Sequence, residues 1–552
     1  MKKSSLFAIL GGVWLVAACN VVEPDEPSVA VEPLASAEEA PVAEVPTPAA
    51  ESIVEVEVPA SGNRLGINFY AIKDWNRDLP FVDMMKMARP WIPQRHGVWD
   101  TGEELPLDEY GYVTRLEPGQ RATTLMLTDL QGHHPTGEYV FLYEGEGEWE
   151  WSGIARLVES APGRQVIDVQ PGGGSWVQLT LVAVNPENHP RAMRFIRPGY
   201  ENRYAENPYA TDFLQRWGGV DTIRFMDWML ANRTDQEEWS NRPTPQHRTF
   251  HTSGVALEWM IDLCNRTQSH GWFALPHPVT DEYMREFARM VRDTLDPNLK
   301  AYYEFSNEVW NTMFAQTRWA QERGLAAGLA ERPWEAGWLY YAEQSHRLFD
   351  ILDEVYEGDR DRYVRVVATQ AANDYIGRRK LTHRDLHTRA DAISIGPYLT
   401  FNVPMQGRDD RPGADEVQDW TLDQVFEYLQ GAPMANSKRW MERYQAIAEE
   451  FGLKLIAYEG GQHLTALDEA SNNEKLVNLL ADANRDPRMG DLYTEYFNHW
   501  TEVTGGNLFC HWTATGTYGR HGYWGLLEWR TQDPATSPKF QALNAWSGGA
   551  LQ

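Results

Sequence analysis

Two apolar segments of the chain end in a glutamate at the point where a strand would give way to a loop. The first, AYYEFSNEVWN at 301–311, carries Asn307 and Glu308. The second, LKLIAYEGG at 453–461, carries Glu459, and the two glycines after it let the backbone turn away. Because the two glutamates are far apart in sequence, they can meet only in a fold that gathers strand ends. A (β/α)8 barrel gathers them at the carboxyl ends of its parallel strands.

The rest of the chain alternates between strand and helix patterns, as such a barrel requires. Apolar, β-branched segments followed by amphipathic segments predict a parallel sheet that is covered by helices on its outer side. After the third strand, for example, Thr280 is placed to cap a helix with one apolar face. The predicted strand segments are 65–70, 221–227, 272–276, 301–308, 363–369, 392–398, 453–458 and 507–512. The predicted fold class is therefore α/β, a (β/α)8 TIM barrel.

The segment between the first and second predicted strands departs from this pattern. Residues 80–89 have helical periodicity, but from 94 to 196 short alternating runs are divided by turn-forming clusters. We predict a small antiparallel β domain at 94–196, inserted between a first barrel unit at 61–93 and the remainder of the barrel at 197–552. A helix at 80–89 would run back toward the amino ends of the strands, so we expect the insert to lie away from the face where the glutamates meet. Its aromatic residues are expected to fill a sandwich core, with a ligand-stacking surface as the alternative.

The amino terminus has the features of an export signal. Two lysines precede an apolar run that is too short to span a bilayer, and the run ends in LVAAC, which resembles the bacterial lipobox. We predict a lipoprotein signal peptide at 1–19 with Cys19 as the lipidated residue, and an ordinary secretory peptide is the alternative. Residues 20–60 are rich in Pro, Ala, Val and Glu, which predicts a disordered tether. The expected localisation is the outer membrane, to which the protein would be attached by this lipid alone.

Composition limits the partners of the chain. A net charge of −29 argues against nucleic acid, whose recognition requires a basic surface. Apart from Cys19, the cysteines are Cys264 and Cys510, which we expect to be free and buried, although a single bridge between them stays open. The sequence has no zinc-protease, phosphate-binding or EF-hand motif, so neither a metal nor a cofactor is predicted. The sequence leaves the oligomeric state open.

Paired carboxyl groups at strand ends suit the cleavage of glycosidic bonds with retention of configuration, in which one is the nucleophile and the other the acid/base. The SNE at 306–308 and the YEG at 458–460 resemble the motifs of clan A of the glycoside hydrolases, retaining (β/α)8 enzymes that include cellulases, mannanases and β-galactosidases. The resemblance covers the barrel and not the insert. It implies that Glu308 is the acid/base and that Glu459 is the nucleophile.

The same resemblance implies four substrate-site residues. Asn307 would bond the 2-hydroxyl of the sugar, an interaction that strengthens in the transition state. Arg224 and Tyr398 match positions that hold the nucleophile ionised and oriented. Trp512 matches the aromatic floor under the cleaved sugar.

Position relative to the strand ends adds further candidates. His277 follows the third strand, and Asp227 and Trp228 follow the second, so each is expected either to line the sugar cleft or to pack beside it. His463 follows the nucleophile closely enough to contact substrate. Glu304 would lie deeper in the barrel, where an ionised carboxylate without a partner is costly, and we interpret it as structural.

These observations predict a retaining β-glycosidase that acts on an oligosaccharide or polysaccharide. A neutral β-linked glucan, xylan or mannan is the favoured substrate, and an anionic polysaccharide is the alternative. Two other functions stay open: a surface glycan-binding lipoprotein that does not cleave, and a polysaccharide lyase that uses a Tyr or His beside a clamp for a uronate.

Overall fold

The computed structural model describes residues 64–172, 176–408 and 411–552. The predicted signal peptide, Cys19 and the predicted tether lie outside these residues. The strands, in chain order, are β1 (Leu65–Asn68), β2 (Ile92–Gln94), β3 (Arg121–Met126), β4 (Gly137–Glu144), β5 (Gly147–Gly153), β6 (Ala155–Ala161), β7 (Arg164–Val169), β8 (Val177–Val184), β9 (Arg191–Ile196), β10 (Thr222–Arg224), β11 (His270–Leu275), β12 (Ala301–Phe305), β13 (Tyr363–Ala368), β14 (Ala392–Ile395), β15 (Leu399–Val403), β16 (Lys454–Ala457), β17 (Gln462–Ala466) and β18 (Phe509–His511).

The α-helices complete the framework. They are α1 (Thr211–Trp217), α2 (Leu257–Thr267), α3 (Asp281–Thr294), α4 (Ala315–Ala326), α5 (Pro333–Val355), α6 (Asp374–Thr382), α7 (Ala414–Val417), α8 (Leu422–Gln430), α9 (Ala432–Phe451), α10 (Glu474–Arg485), α11 (Pro487–Thr504) and α12 (Pro538–Trp546). None of the described helices is both long enough and apolar enough to cross a bilayer.

Eight parallel strands form the closed barrel at the centre of the fold. They follow one another in the order β1, β10, β11, β12, β13, β14, β16 and β18, and β18 pairs with β1 to close the ring. Each predicted strand segment overlaps one of these strands, so the predicted (β/α)8 barrel is confirmed. At the junction of β18 and β1, a side chain at Gly66 would collide with the sulfur of Cys510, which explains the glycine there. Cys264 and Cys510 are both free and buried, as predicted.

The helices bury one face against the barrel. In α3 the side chain of Thr280 accepts a hydrogen bond from the backbone N–H of Tyr283, which makes it the predicted N-cap. Met284, Phe287 and Val291 of the same helix are buried. Burial of this stripe is the main source of helix stability in such a fold, because it removes apolar area from water.

Two further strands extend the sheet beyond the barrel at its carboxyl end. β15 begins four residues after β14 ends, and β17 begins shortly after β16. They pair in parallel, from Leu399 opposite Gln462 to Val403 opposite Ala466. This two-stranded ribbon therefore stands directly above the sixth and seventh barrel strands.

The strands β2 to β9 lie between the first and second barrel strands in chain order. They form two four-stranded antiparallel sheets, β2-β3-β8-β5 and β6-β7-β4-β9. Rings from the two sheets contact one another: the centroids of Phe141 and Trp151 are 5.3 Å apart in an edge-on arrangement, and those of Trp151 and Phe195 are 5.1 Å apart with the rings tilted. These aromatic residues pack between the sheets, in the arrangement of a sandwich core.

The helix predicted at 80–89 is wrong. Only Met84–Met87 is helical, as a short 3-10 turn. Before this turn Phe81 bridges to Tyr209 and Asp83 bridges to Ile196, and after it the backbone of Ala88 is extended. Side chains on every side of this segment are buried, so tertiary contacts override the helical periodicity.

This difference changes the expected position of the insert. With no helix to return the chain, the insert leaves the barrel from the loop after β1, at the carboxyl-end face. Lys86 donates to the carbonyl of Pro245 at 2.7 Å, and Arg248 donates to the hydroxyl of Thr124 at 3.3 Å. Lys86 lies just before the insert and Thr124 lies within it. Both contacts are to the loop after β10, which starts at the same face. The expectation that the insert lies away from this face rested on the missing helix and therefore loses its basis.

Candidate active site

Arg224, the last residue of β10, lies at the centre of a buried polar cluster. Its Nη1 donates to Oε1 of Glu459 at 2.9 Å. Its Nη2 donates to Oε2 of Glu304 at 3.0 Å and to Oδ1 of Asn307 at 2.8 Å. Burial disfavours its charge, but Glu304 and Glu459 more than offset this effect and raise the pKa of Arg224 above its ordinary value. One guanidinium thus joins the second, fourth and seventh strand ends.

Glu459 is held at both carboxylate oxygens. Arg224 donates to Oε1, and the hydroxyl of Tyr398 donates to Oε2 at 3.0 Å. Burial raises the pKa of Glu459, while Arg224 and Tyr398 act in the opposite direction. The next residues must be small, because a side chain at Gly460 would collide with the ring of Phe509 and Gly461 has a φ of +114°. The predicted glycine turn therefore has a steric cause as well as a conformational one.

Glu308 has different partners. The hydroxyl of Tyr458 donates to its Oε1 at 2.8 Å, and the amide of Asn311 donates to its Oε2 at 2.9 Å. Its backbone lies in the left-handed region, with a φ of +41°, as does that of Ser306 with a φ of +57°. Such conformations are costly for residues other than glycine and are found preferentially at functional sites.

The two glutamates differ in the charge that each environment favours. Burial, followed by the charge of Glu459, raises the pKa of Glu308 to about 8. Within the described residues the hydrogen-bond partners of Glu308 are the uncharged side chains of Tyr458 and Asn311, whereas Arg224 contacts Glu459 directly. The contact with Arg224 therefore favours the ionised form of Glu459, and a single proton shared by the pair is favoured on Glu308.

Glu304 is paired with a buried cation, Arg224, which the sequence analysis did not predict. Its Oε2 accepts hydrogen bonds from Arg224 and, at 3.0 Å, from the indole nitrogen of Trp272. Burial raises the pKa of Glu304, and Arg224 opposes this effect. The arrangement agrees with a structural role in which Glu304 fixes the orientation of Arg224.

A second buried cation approaches the cluster from α6. The amine of Lys380 donates to the carbonyl of Ala368 at 2.8 Å and lies 3.8 Å from the ring centroid of Tyr341. Burial lowers the pKa of Lys380 to about 7, and the charges of Glu304 and Glu308 oppose that effect. Sequence reasoning missed this residue because nothing in its helix marks it as different from a surface lysine.

Amide side chains connect the cluster to the loops around it. Asn307 donates to Oδ1 of Asn232 at 3.1 Å, and Gln316 donates to the carbonyl of Asn307 at 2.8 Å. Asn68, at the end of β1, donates to the carbonyl of Tyr458 at 3.1 Å. Asn232, Gln316 and Asn68 were not predicted, because no motif in the sequence marks them and their contacts form only when the loops pack together.

His463 and Trp512 lie beside this cluster. The ring of His463 contacts the rings of Tyr398 and Trp524, at centroid distances of 5.4 and 5.3 Å. Trp512 packs in one apolar cluster with Tyr398 and Trp524. Burial lowers the pKa of His463 to about 4, so its ring is neutral near pH 7.

The remaining candidates have contacts of other kinds. Trp228 packs against Phe69, Phe81 and Phe225 in the main core. His277 contacts the ring of Trp319 at 5.2 Å. Asp227 accepts a hydrogen bond from the backbone N–H of Ala71 at 3.3 Å. Their predicted roles at a substrate stay predictions.

Comparison with known proteins adds only distant similarity. No protein-family model matches the chain, and no curated protein matches it. Solved structures that resemble it are glycoside hydrolases. A GH51 arabinofuranosidase from Xanthomonas axonopodis pv. citri is 10% identical, with a TM-score of 0.37 over 56% of this chain and 61% of that one. A β-galactosidase from Marinomonas ef1 is 13% identical, with a TM-score of 0.35 over 62% and 57%.

A β-glucosidase from Thermotoga maritima is 9% identical, with a TM-score of 0.31 over 64% of this chain and 87% of that one. The chain spans about three fifths of the length of the arabinofuranosidase. Similarity at this level transfers no residue's role to this chain. Within the described residues, no group of three or more His, Cys, Asp or Glu side chains is arranged to hold a metal.

Proposed function

We propose that the protein is a retaining glycoside hydrolase that cleaves β-glycosidic bonds in an oligosaccharide or polysaccharide. The observation that supports this proposal is the unequal environment of the two strand-end glutamates. Glu459 is paired with Arg224 and Tyr398, whereas the buried Glu308 accepts hydrogen bonds from the uncharged Tyr458 and Asn311. An ionised carboxylate next to a protonated one is the pair that double displacement requires.

The reaction follows from these two protonation states. A carboxylate oxygen of Glu459 attacks the anomeric carbon while Glu308 gives its proton to the departing glycosidic oxygen, which leaves a glycosyl ester on Glu459. Glu308, now ionised, takes a proton from water as the water oxygen attacks the same carbon. The ester bond breaks, and both glutamates return to their starting states. Asn307 is proposed to bond the 2-hydroxyl of the sugar.

The alternatives fit the site less well. A protein that only binds glycans has no need for a carboxylate held at both oxygens by Arg224 and Tyr398. A lyase would need a cation to clamp the uronate, and Arg224 already donates to Glu459 and Glu304. The hydroxyls of Tyr398 and Tyr458 already donate to Glu459 and Glu308.

Azide rescue tests the assignment of the two roles. Glu308→Ala is expected to lower kcat/KM about 10²- to 10⁴-fold on a substrate with a poor leaving group, and Glu459→Ala at least as much. With a 2,4-dinitrophenyl β-glycoside and azide, Glu459→Ala should give the inverted glycosyl azide, because azide replaces the nucleophile. Glu308→Ala should give the retained azide, because azide replaces the water. Exchange of the two products between the variants would overturn the assignment.

The pH profile tests the electrostatic account with a matched pair of variants. Tyr458→Phe removes a hydrogen bond that lowers the pKa of Glu308, so the acid stays protonated to higher pH and the alkaline limb of kcat/KM should move upward. Tyr398→Phe removes the corresponding bond to Glu459, so the nucleophile ionises at higher pH and the acid limb should move upward. Each variant serves as the control for the other. If the same limb of the pH profile moved in both variants, this would contradict the assignment of Tyr458 to Glu308 and of Tyr398 to Glu459.

We also propose that the protein is an exported bacterial lipoprotein, attached to the outer membrane through lipid on Cys19 alone.

 The motif LVAAC ending at Cys19 and the polar segment behind it support this proposal. In an extract of the native host, wild-type protein is expected to partition into the detergent phase and Cys19→Ser into the aqueous phase. Partition of both proteins into the aqueous phase would contradict the anchor.

A further inference from the structure

The ribbon formed by β15 and β17 has two chemically different faces. Residues alternate along each strand, so every second side chain points to the same side. Leu399, Phe401, Val403, Leu464 and Ala466 belong to the main hydrophobic core. The opposite face carries Thr400, Asn402, His463 and Thr465, which we call the ribbon wall.

The ribbon wall adjoins the proposed nucleophile. Tyr398, which donates to Glu459, immediately precedes β15, and β17 begins three residues after Glu459. The ring of His463 contacts that of Tyr398 at 5.4 Å. The wall therefore stands at the side of the site where the sugar that is transferred to Glu459 would lie.

The hydrogen bond to Asn402 fixes which nitrogen of His463 carries the proton. Nδ1 of His463 lies 2.7 Å from Oδ1 of Asn402. An amide oxygen only accepts, so Nδ1 is the donor and Nε2 of the neutral ring has a free lone pair. Nε2 is buried and has no hydrogen-bond partner among the described residues.

Two indole donors lie near this acceptor. The Nε1 atoms of Trp512 and Trp524 are also buried without a hydrogen-bond partner in the described part of the chain. Trp524 contacts the ring of His463 at 5.3 Å, and Trp512 shares an apolar cluster with Trp524 and Tyr398. This part of the site thus offers one acceptor and two donors, none of which is charged.

We infer that the ribbon wall selects an uncharged sugar at the position next to Glu459, with His463 accepting a hydrogen bond from a sugar hydroxyl and Asn402 acting as its positioning residue. The inference rests on the proposed function and narrows its substrate to neutral glycans. A carboxylate or sulfate at this position would meet the lone pair of His463 and no cation on the wall, and a buried charge without a partner is costly. A neutral hydroxyl can donate to Nε2 and accept from an indole N–H.

Binding to a variant that does not turn over separates this inference from the proposed function. In a Glu308→Gln background, dissociation constants are measured for cello-, xylo- and manno-oligosaccharides and for an oligosaccharide of glucuronic acid. At least one neutral oligosaccharide is expected to bind, and more tightly than the uronic one. Adding His463→Ala should weaken that binding about ten-fold or more, the effect of one lost hydrogen bond with an uncharged partner. The matched control is His96→Ala, an exposed histidine in the insert, which should leave the dissociation constant unchanged.

Asn402→Asp tests the positioning role by a readout that a merely structural residue would not change. The groups that face His463 are Tyr398, Trp524 and residue 402, with the carboxylate of Glu459 beyond Tyr398. A carboxylate against Nδ1 favours the protonated ring, in which Nε2 becomes a donor, so binding of the neutral oligosaccharide should weaken as the pH falls from 8 to 5. The Glu308→Gln background should show a smaller change.

Three outcomes would overturn the inference: tighter binding of the uronic oligosaccharide, unchanged binding in His463→Ala, or no binding of any neutral oligosaccharide. Equal pH dependence in Asn402→Asp and its background would overturn the role of Asn402. Failure of the wild type to hydrolyse a neutral oligosaccharide that the Glu308→Gln variant binds would count against the proposed function and not against the ribbon wall.

Discussion

The positive charge of Arg224 is the constraint on which the rest of the site depends. The carboxyl groups of Glu304, Glu308 and Glu459 are all buried at one end of the barrel, where an unpaired charge would be costly. Arg224 contacts two of them and Asn307 as well, because a guanidinium presents its donors in a planar fork. The unequal electrostatic environments of Glu308 and Glu459 follow from which of them contacts this cation.

The barrel and its glutamate pair could be predicted because the sequence patterns that mark them are local. Each barrel strand is a short apolar run, and its burial does not depend on which distant segment covers it. Glu308 and Glu459 follow such runs directly, so the count of strands was enough to place both at the carboxyl-end face. The cap at Thr280 is local in the same sense, since it depends on a backbone N–H three residues away.

The features that could not be predicted depend on contacts between distant segments. The 80–89 segment has helical periodicity, but bridges to Tyr209 and Ile196 hold its first residues extended and leave only a single turn after them. In sequence, Lys380 cannot be distinguished from a surface lysine. Its burial depends on the packing of α6 against the barrel, where its amine donates to the carbonyl of Ala368. The ribbon wall likewise depends on the pairing of β15 with β17, and sequence periodicity does not reveal which strands pair.

The pH dependence of the free energy of unfolding of Arg224→Met tests the central claim most directly. Without this cation, the folded-state pKa values of Glu304 and Glu459 should rise further above those of the unfolded chain, so the folded state binds extra protons and its stability falls as the pH rises. Arg224→Met should lose about 3–5 kcal/mol at pH 8, and the loss should shrink toward pH 5. Arg95→Met, which removes an exposed ion pair with Glu103, should lose about 0–1 kcal/mol at both pH values. A loss below about 1 kcal/mol for Arg224→Met at pH 8, or an equal loss at both pH values, would contradict the account.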